Sequence, residues 1–201
     1  MRKLAILGAT GSIGGSALDV VRSHPGDFEL VLLSANARIA ELKKLGAGFP
    51  GARLALAGDL FSAIGEAGAE ITVNGIAGAA GLAPSLAALK AGSALALANK
   101  ETVVMAYPLV KALAEERGLP IIPVDSEHAA VFRLLEARDR GAVAEIILTA
   151  SGGPFRQYSG ERLRTVKAAE ALAHPTWNMG PKITVDSATM ANKALEVIEA
   201  V

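Results

Sequence analysis

A doubly wound, mostly parallel α/β sheet is the fold this sequence predicts. Three observations predict it. Short apolar runs alternate with amphipathic segments from Lys3 to Leu135, the pattern of strands linked by crossover helices. The first run leads at once into Gly8-Ala9-Thr10-Gly11-Ser12-Ile13-Gly14, a small-residue turn that lets backbone approach a phosphate and opens a helix. Polar clusters then follow directly after six of the apolar runs, and open α/β sheets bind ligands beyond the carboxyl ends of their strands.

In chain order, Lys3 to Leu7 is the first strand and Ala17 to Arg22 carries the first helical pattern. Together with the glycines they make a dinucleotide-binding, Rossmann-like opening. The spacing is G-x-x-G-x-x-G, a variant of the usual fingerprint; the same glycines also suit a tight turn without a ligand. Glu29 to Leu33 is the second strand, ending in Ser34-Ala35-Asn36-Ala37-Arg38. An NAD-preferring site has an acid near this point, whereas an arginine suits a 2′-phosphate, so Arg38 tilts the cofactor toward NADPH.

Arg53 to Ala57 is a weak strand, Leu60 to Ala67 a helix, and Ile71 to Val73 a buried strand running into Asn74-Gly75. Leu82 to Lys90 is a helix and Ser93 to Ala98 a strand ending in Asn99-Lys100-Glu101. A helix follows from Thr102 to Arg117, then a strand from Pro120 to Val124 ending in Asp125-Ser126-Glu127-His128, and a helix through Leu135. Glu145 to Thr149 reads as a strand ending in Ser151-Gly152-Gly153-Pro154. Lys182 to Val185, a β-branched run, reads as a last strand, with Asp186-Ser187 as turn or N-cap residues. From Ala188 the pattern is helical: Met190, Ala194, Val197, Ile198 and Val201 form one apolar stripe, and Asn192, Lys193 and Glu196 lie opposite. The organisation is a nucleotide-binding domain over residues 1–124 and a catalytic domain from residue 125 to 201.

The chain has 201 residues, 51% hydrophobic and 20% charged, with zero formal net charge and 4% aromatics. Balanced charge argues against general nucleic-acid binding. The absence of cysteine excludes thiolate chemistry and disulfides. No apolar run approaches the roughly 20 residues of a membrane span, and Leu4 to Leu7 is too short for a signal-peptide core, so a cytoplasmic protein is expected.

Asp125 and Glu127 stand two apart in a strand-end loop, and Glu196 completes a set of three carboxylates suited to Mg²⁺ or Mn²⁺. A pair of solvated or capping acids is the plainer reading of Asp-x-Glu. Lys100 either contacts a substrate oxygen or makes a salt bridge at a helix start. Ser151 before two glycines resembles an anion nest, though it equally suits a plain turn. A helix beginning beside Ser187, with Asn192 and Lys193 one turn in, offers amides, hydroxyl and ammonium to an anion. His128 reads as a helix-start residue and His24 as a loop residue. A metal, an anion clamp and a dinucleotide together point to reduction of a phosphorylated, oxygen-rich carbonyl compound.

The blocks GATGSIG, ANKETVV, PVDSEHAAVF, LTASGGPF and HPTWNMGPKITVDSATMANKALE closely resemble the 1-deoxy-D-xylulose 5-phosphate reductoisomerase family of non-mevalonate isoprenoid biosynthesis. The resemblance covers nearly the whole chain, in order. It implies a divalent cation on Asp125, Glu127 and Glu196 that chelates the substrate's ketone and hydroxyl oxygens. Skeletal rearrangement and reduction by NADPH then give 2-C-methyl-D-erythritol 4-phosphate. It further implies that Ser151, Ser187, Asn192 and Lys193 hold the phosphate, that Lys100, Ser126 and His174 touch substrate, and that Trp177 belongs to a covering loop. Thr10, Gly11, Ser12, Ile13, Asn36, Ala37, Arg38, Asn99 and Glu101 would contact the cofactor. The family usually has a glycine, a basic residue and an asparagine where Asn36-Ala37-Arg38 stand here. It also implies a homodimer, and further catalytic and C-terminal helical parts beyond Val201. The resemblance therefore predicts an incomplete, truncated catalytic domain. Two rivals are a noncatalytic NADPH-binding module and a metal-independent reductase of the semialdehyde type.

Overall fold

The structure, a computed structural model, describes residues 1–136, 138–175 and 180–200. It divides into two compact units, Met1–Ala129 and a second from Ala130 onward.

The first unit is a six-stranded sheet in the order β3-β2-β1-β4-β5-β6. Its strands are β1 (Arg2–Leu7), β2 (Phe28–Ala35), β3 (Arg53–Leu56), β4 (Ile71–Asn74), β5 (Ala94–Leu97) and β6 (Ile121–Pro123). Every neighbouring pair is parallel. The linking helices are α1 (Ser12–Ser23), α2 (Ile39–Gly46), α3 (Leu60–Glu66), α4 (Leu82–Lys90) and α5 (Lys100–Arg117). The strands and the other four helices follow the alternation expected from the sequence, whereas α2 lies in a stretch for which the sequence gives no helix. The chain winds outward through β2 and β3, then crosses back to β4 beside β1, so the switch point lies between β1 and β4.

Two apolar layers hold the sheet. One contains Leu4, Ile6, Leu18, Val21, Leu30, Leu33 and Leu42; the other contains Leu7, Leu32, Ile64, Leu89, Leu95 and Val110. Alternate residues of β1 thus enter opposite layers, as the twofold period of a strand requires. Burial on both faces explains why β1 and β5 read as continuous apolar runs. Within α5 the helix breaks at Ala106 (φ −151°, ψ 29°), two residues before Pro108, whose missing N–H and ring disfavour an unbroken helix. The early turn of α5 therefore stands apart from its longer second half.

The division between units falls early in α6 (Ser126–Glu136). Beyond it are α7 (Gly160–Leu163), α8 (Ala168–Ala171), α9 (Pro181–Ala188) and α10 (Ala191–Ala200). Two expectations fail here. Glu145 to Thr149 is not a ladder strand, and Lys182 to Val185 lies in α9. Strand propensity is realised only when a neighbouring strand supplies hydrogen bonds. No residue described from 130 onward supplies them. A helix instead satisfies its backbone internally. Pro181 sits at its first turn, where the missing N–H costs nothing. Lys182 pairs with Asp186 at 2.7 Å, and the Thr184 hydroxyl donates to Gly180 O at 2.9 Å. Asp186 and Ser187 are accordingly the end of α9 rather than the cap of the next helix. The break comes at Met190, which holds a left-handed φ of 62°.

The close packing of α1 on the glycine turn sets the geometry of the first unit. A Cβ on Gly14 would lie 2.5 Å from both Ala9 Cα and Gly8 O. Alanine in a helix ordinarily gains about 1 kcal/mol over glycine. Here Gly14→Ala is expected to destabilise instead, by about 1–3 kcal/mol from overpacking, read as a lower urea midpoint at unchanged slope.

Candidate functional site

At the end of β1, Gly8 adopts φ 77°, a conformation open to glycine. A Cβ there would stand 3.0 Å from Gly75 O, so the turns after β1 and β4 approach with nothing between them. Ser34, buried at the end of β2, holds the same turn. Its carbonyl accepts from Ala9 N–H at 2.7 Å and its hydroxyl from Gly8 N–H at 3.3 Å. Thr10, Gly11 and Ile13 are half-buried, and Ser12 is exposed. The α1 N-terminus has no side-chain cap and no acid in its first turn. Its leading amides and dipole are therefore available to an anion at the switch-point crevice. Asn36, Ala37 and Arg38 are exposed after β2, with Arg38 paired to Glu41 at 3.1 Å on the surface.

The loop after β4 is held by two buried asparagines. Asn74 donates to Gly81 O (2.9 Å) and Ser85 Oγ (2.7 Å) and accepts from Ile76 N–H (3.0 Å). Asn99 donates to Ile76 O (2.6 Å) and Gly78 O (2.8 Å) and, as N-cap of α5, accepts from Thr102 N–H at 2.6 Å. The Asn99 side chain is thus engaged within the fold. The sequence alone assigns Asn74 no role beyond following the Ile71 to Val73 strand. The signal that marks it is a polar residue closing an otherwise apolar buried strand.

Lys100 opens α5 and is buried, and its ammonium meets Asp125 Oδ2 at 2.5 Å. The other Asp125 oxygen lies 3.1 Å from His128 Nδ1. Burial alone would raise the Asp125 pKa. Bonds from His128 and Lys100, together with their charges, outweigh it and bring the value from 3.8 down to about 2. Lys100 and Asp125 stand out in the sequence only separately, and His128 only as a helix-start residue. Ser126 donates to the neighbouring Glu127 carboxylate.

In the second unit, Ser151 Oγ and His174 Nε2 are 3.2 Å apart, and Gly153 N–H donates to Ser151 Oγ at 3.3 Å. Gly152 and Gly153 both have positive φ. A Cβ on Gly153 would stand 2.8 Å from Ser187 O, so the Ser151 turn packs on the end of α9. In α10 the expected faces are inverted. Val197 and Ile198 are exposed while Glu196 is fully buried, accepting from Asn192 and ion-paired with Lys193. A buried carboxylate is tolerated when paired in this way. Asn192 and Lys193 are therefore gathered on Glu196, and Ser187 stands across the Met190 break from their helix. Of the six polar clusters, those at Gly8, Ala35, Asn99 and Asp125 accompany ends of sheet strands. Those at Ser151 and Asp186 do not, because the runs before them join no ladder. Trp177 lies outside the described residues.

Family models match in both parts of the chain. The 1-deoxy-D-xylulose 5-phosphate reductoisomerase model covers residues 4–59 and 54–107, and the model of that enzyme's C-terminal domain covers 121–201. The chain belongs to the 1-deoxy-D-xylulose 5-phosphate reductoisomerase family. A Treponema pallidum member is 50% identical over all of this chain, and one from Geobacillus kaustophilus 45%. A DOX-P reductoisomerase crystal structure with NADPH, fosmidomycin and magnesium superposes with TM-score 0.88 at 36% identity over the whole chain, which spans 57% of its length. The Zymomonas mobilis enzyme with NADPH superposes at 0.82 and 38% over 99% of this chain and 57% of its own. The chain spans 56% and 58% of those two sequence relatives. No helix among the described residues is long and apolar enough to cross a membrane.

The lowered Asp125 pKa has a consequence for stability in metal-free protein. A carboxyl with a depressed folded pKa contributes above its unfolded value and loses that contribution as pH falls through the folded one. The contribution, about 1–2 kcal/mol, is expected to vanish between about pH 4 and about pH 2. Lys100→Met should move the acid-unfolding midpoint upward, followed by circular dichroism, because burial then acts with less opposition. An unmoved midpoint would contradict the ion pair.

Proposed function

We propose that this chain carries the NADPH crevice and the metal and phosphosugar site of a reductoisomerase. The reaction is the conversion of 1-deoxy-D-xylulose 5-phosphate to 2-C-methyl-D-erythritol 4-phosphate. The observation that carries this reading is Asp125, a mostly buried carboxylate kept ionised by Lys100 and His128, two residues before Glu127. Ionised carboxylates are the hard oxygen donors that Mg²⁺ or Mn²⁺ selects, so the residues present fit such a cation, with Glu196 as the third carboxylate of the family pattern. When bound, the cation supplies Lewis-acid polarisation of substrate oxygens.

The residues of this chain do the rest by position and charge. Lys100 and His128 fix both oxygens of Asp125, so its lone pairs keep one orientation. Ser126, Ser151, His174, Ser187, Asn192 and Lys193 hold the phosphosugar. The uncapped α1 N-terminus receives the NADPH pyrophosphate through Thr10 to Ile13. Asn36, Ala37 and Glu101 line the remainder of the cofactor, and Asn99 keeps the adjoining loop in place. Arg38 meets the 2′-phosphate, because its surface pairing with Glu41 is weak and readily exchanged. Residues 1–124 thus form the nucleotide-binding domain and residue 125 onward the catalytic part. A homodimer in the cytoplasm belongs to the same proposal.

A second reading, dinucleotide binding without turnover, is favoured by one observation. The first unit contains both apolar layers and every residue assigned here to the cofactor.

The test is NADPH consumption by this chain with 1-deoxy-D-xylulose 5-phosphate and Mg²⁺, with and without a chelator. Turnover abolished by the chelator is the expected result, and Asp125→Asn should lower kcat by about 100-fold or more. Arg38→Ala should raise KM for NADPH by about tenfold with little change for NADH. Chelator-insensitive turnover would overturn the metal-carboxylate reading. Tight NADPH binding without turnover would favour the second one.

A further inference from the structure

Ile76 is gripped at both of its backbone polar groups by buried side chains. Its N–H donates to Asn74 Oδ1, and its carbonyl accepts from Asn99 Nδ2. Asn74 is fully buried and Asn99 nearly so. Asn74 anchors the far end of the same loop through Gly81 O, which also accepts from the Ser85 hydroxyl at 3.0 Å. Gly81 itself has no room for a side chain: a Cβ would stand 2.8 Å from Asn99 Nδ2 and 2.9 Å from Ile76 O. On the crevice side, Gly75 N–H donates to Leu7 O at 3.0 Å, and a Gly75 Cβ would lie 3.1 Å from Ile13 Cβ. The loop is therefore fixed both to its own strand and against the turn that opens α1.

We infer that Asn74 is a positioning residue for the dinucleotide: with Asn99 it clamps Ile76 and holds the 75–81 loop as a preformed wall of the switch-point crevice. The inference rests on the reading of that crevice as the NADPH site. Three hydrogen bonds on one fully buried side chain are more than the end of a strand requires. Two of the partners, Ile76 and Gly81, lie at the two ends of a single loop and the third, Ser85, in the helix that follows it; this loop faces the glycine turn across the switch point. A wall already in place before the nucleotide arrives spares the cost of ordering it on binding. Ser85 is the internal control, since it shares Asn74's bond at the loop's far end and makes none to Ile76.

The test uses the full chain at a temperature where each variant is folded, with NADPH affinity read by nucleotide fluorescence and stability by urea unfolding. Asn74→Ala is expected to weaken NADPH binding by about tenfold. Ser85→Ala, although it also loses stability, should stay within about twofold of the parent. Equal weakening by both variants, or an unchanged Kd in Asn74→Ala beside a parent that binds, would overturn the positioning role alone. A parent that fails to bind NADPH would remove the reading of the crevice, and the inference with it. Amide exchange on the unmodified chain decides the matter where Asn74→Ala does not fold. Protection of the Ile76 amide without nucleotide supports the clamp, whereas protection only with NADPH shows a loop ordered by its ligand and overturns it.

Discussion

Parallel strands that stop at one edge leave their last backbone groups, and those of the following turns, without ladder partners. That edge is also where a ligand must approach, so the groups cannot simply be covered by apolar packing. In this chain buried side chains resolve the conflict. Ser34 closes the β1 turn from β2, Asn74 closes the β4 loop from its own strand, and Asn99 closes it again from beyond β5. Each is a short side chain whose donors or acceptors are directed at backbone. The edge stays narrow and rigid while the amides at the start of α1 remain uncapped. A tightly bonded edge and uncapped helix amides thus come from the same arrangement.

The charge balance around Asp125 follows the same logic one strand further on. Removing a carboxylate from water is costly unless it is paired. Lys100 and His128 supply that pairing from the helices that begin after β5 and β6. Because α5 breaks at Ala106, the turn bearing Lys100 is not bound to follow the axis of the long segment after Pro108. A carboxylate held at both oxygens has one orientation, which is what a ligand for a hard cation needs.

The first unit was legible because its determinants are local and redundant. The Leu4 to Leu7 run is buried on both faces and reads directly as a parallel strand, and the glycine turn announces the helix after it. Lys182 to Val185 was misread for the opposite reason. Its β-branched residues express a preference that only a partner strand can realise, whereas Pro181, the Lys182–Asp186 pair and the Thr184 hydroxyl realise a helix within one short segment. The clamp on Ile76 was not legible at all. It joins Asn74 and Asn99 through a residue whose place depends on the β4 crossover, and no periodicity records such a meeting. Asp125 and Lys100 were each visible as candidate chemistry, but their contact depends on β5 and β6 being neighbours.

The α10 helix shows how far a hydrophobic pattern can be trusted. Its stripe of Ala194, Val197 and Ile198 satisfies the amphipathic rule, yet Glu196 from the polar face is the buried residue. The rule presumes that the apolar face is the one that loses water. It fails when the polar face is a preassembled set, because Asn192, Lys193 and Glu196 satisfy one another before anything else is asked of them. The second unit buries only Ala171 and Ala188 among its described apolar side chains, so apolar burial exerts little pull on the helix. With that pull weak, paired polar groups determine which side turns inward. The residues turned inward are then the mutually paired polar ones, and the orientation of α10 follows from that pairing rather than from a core.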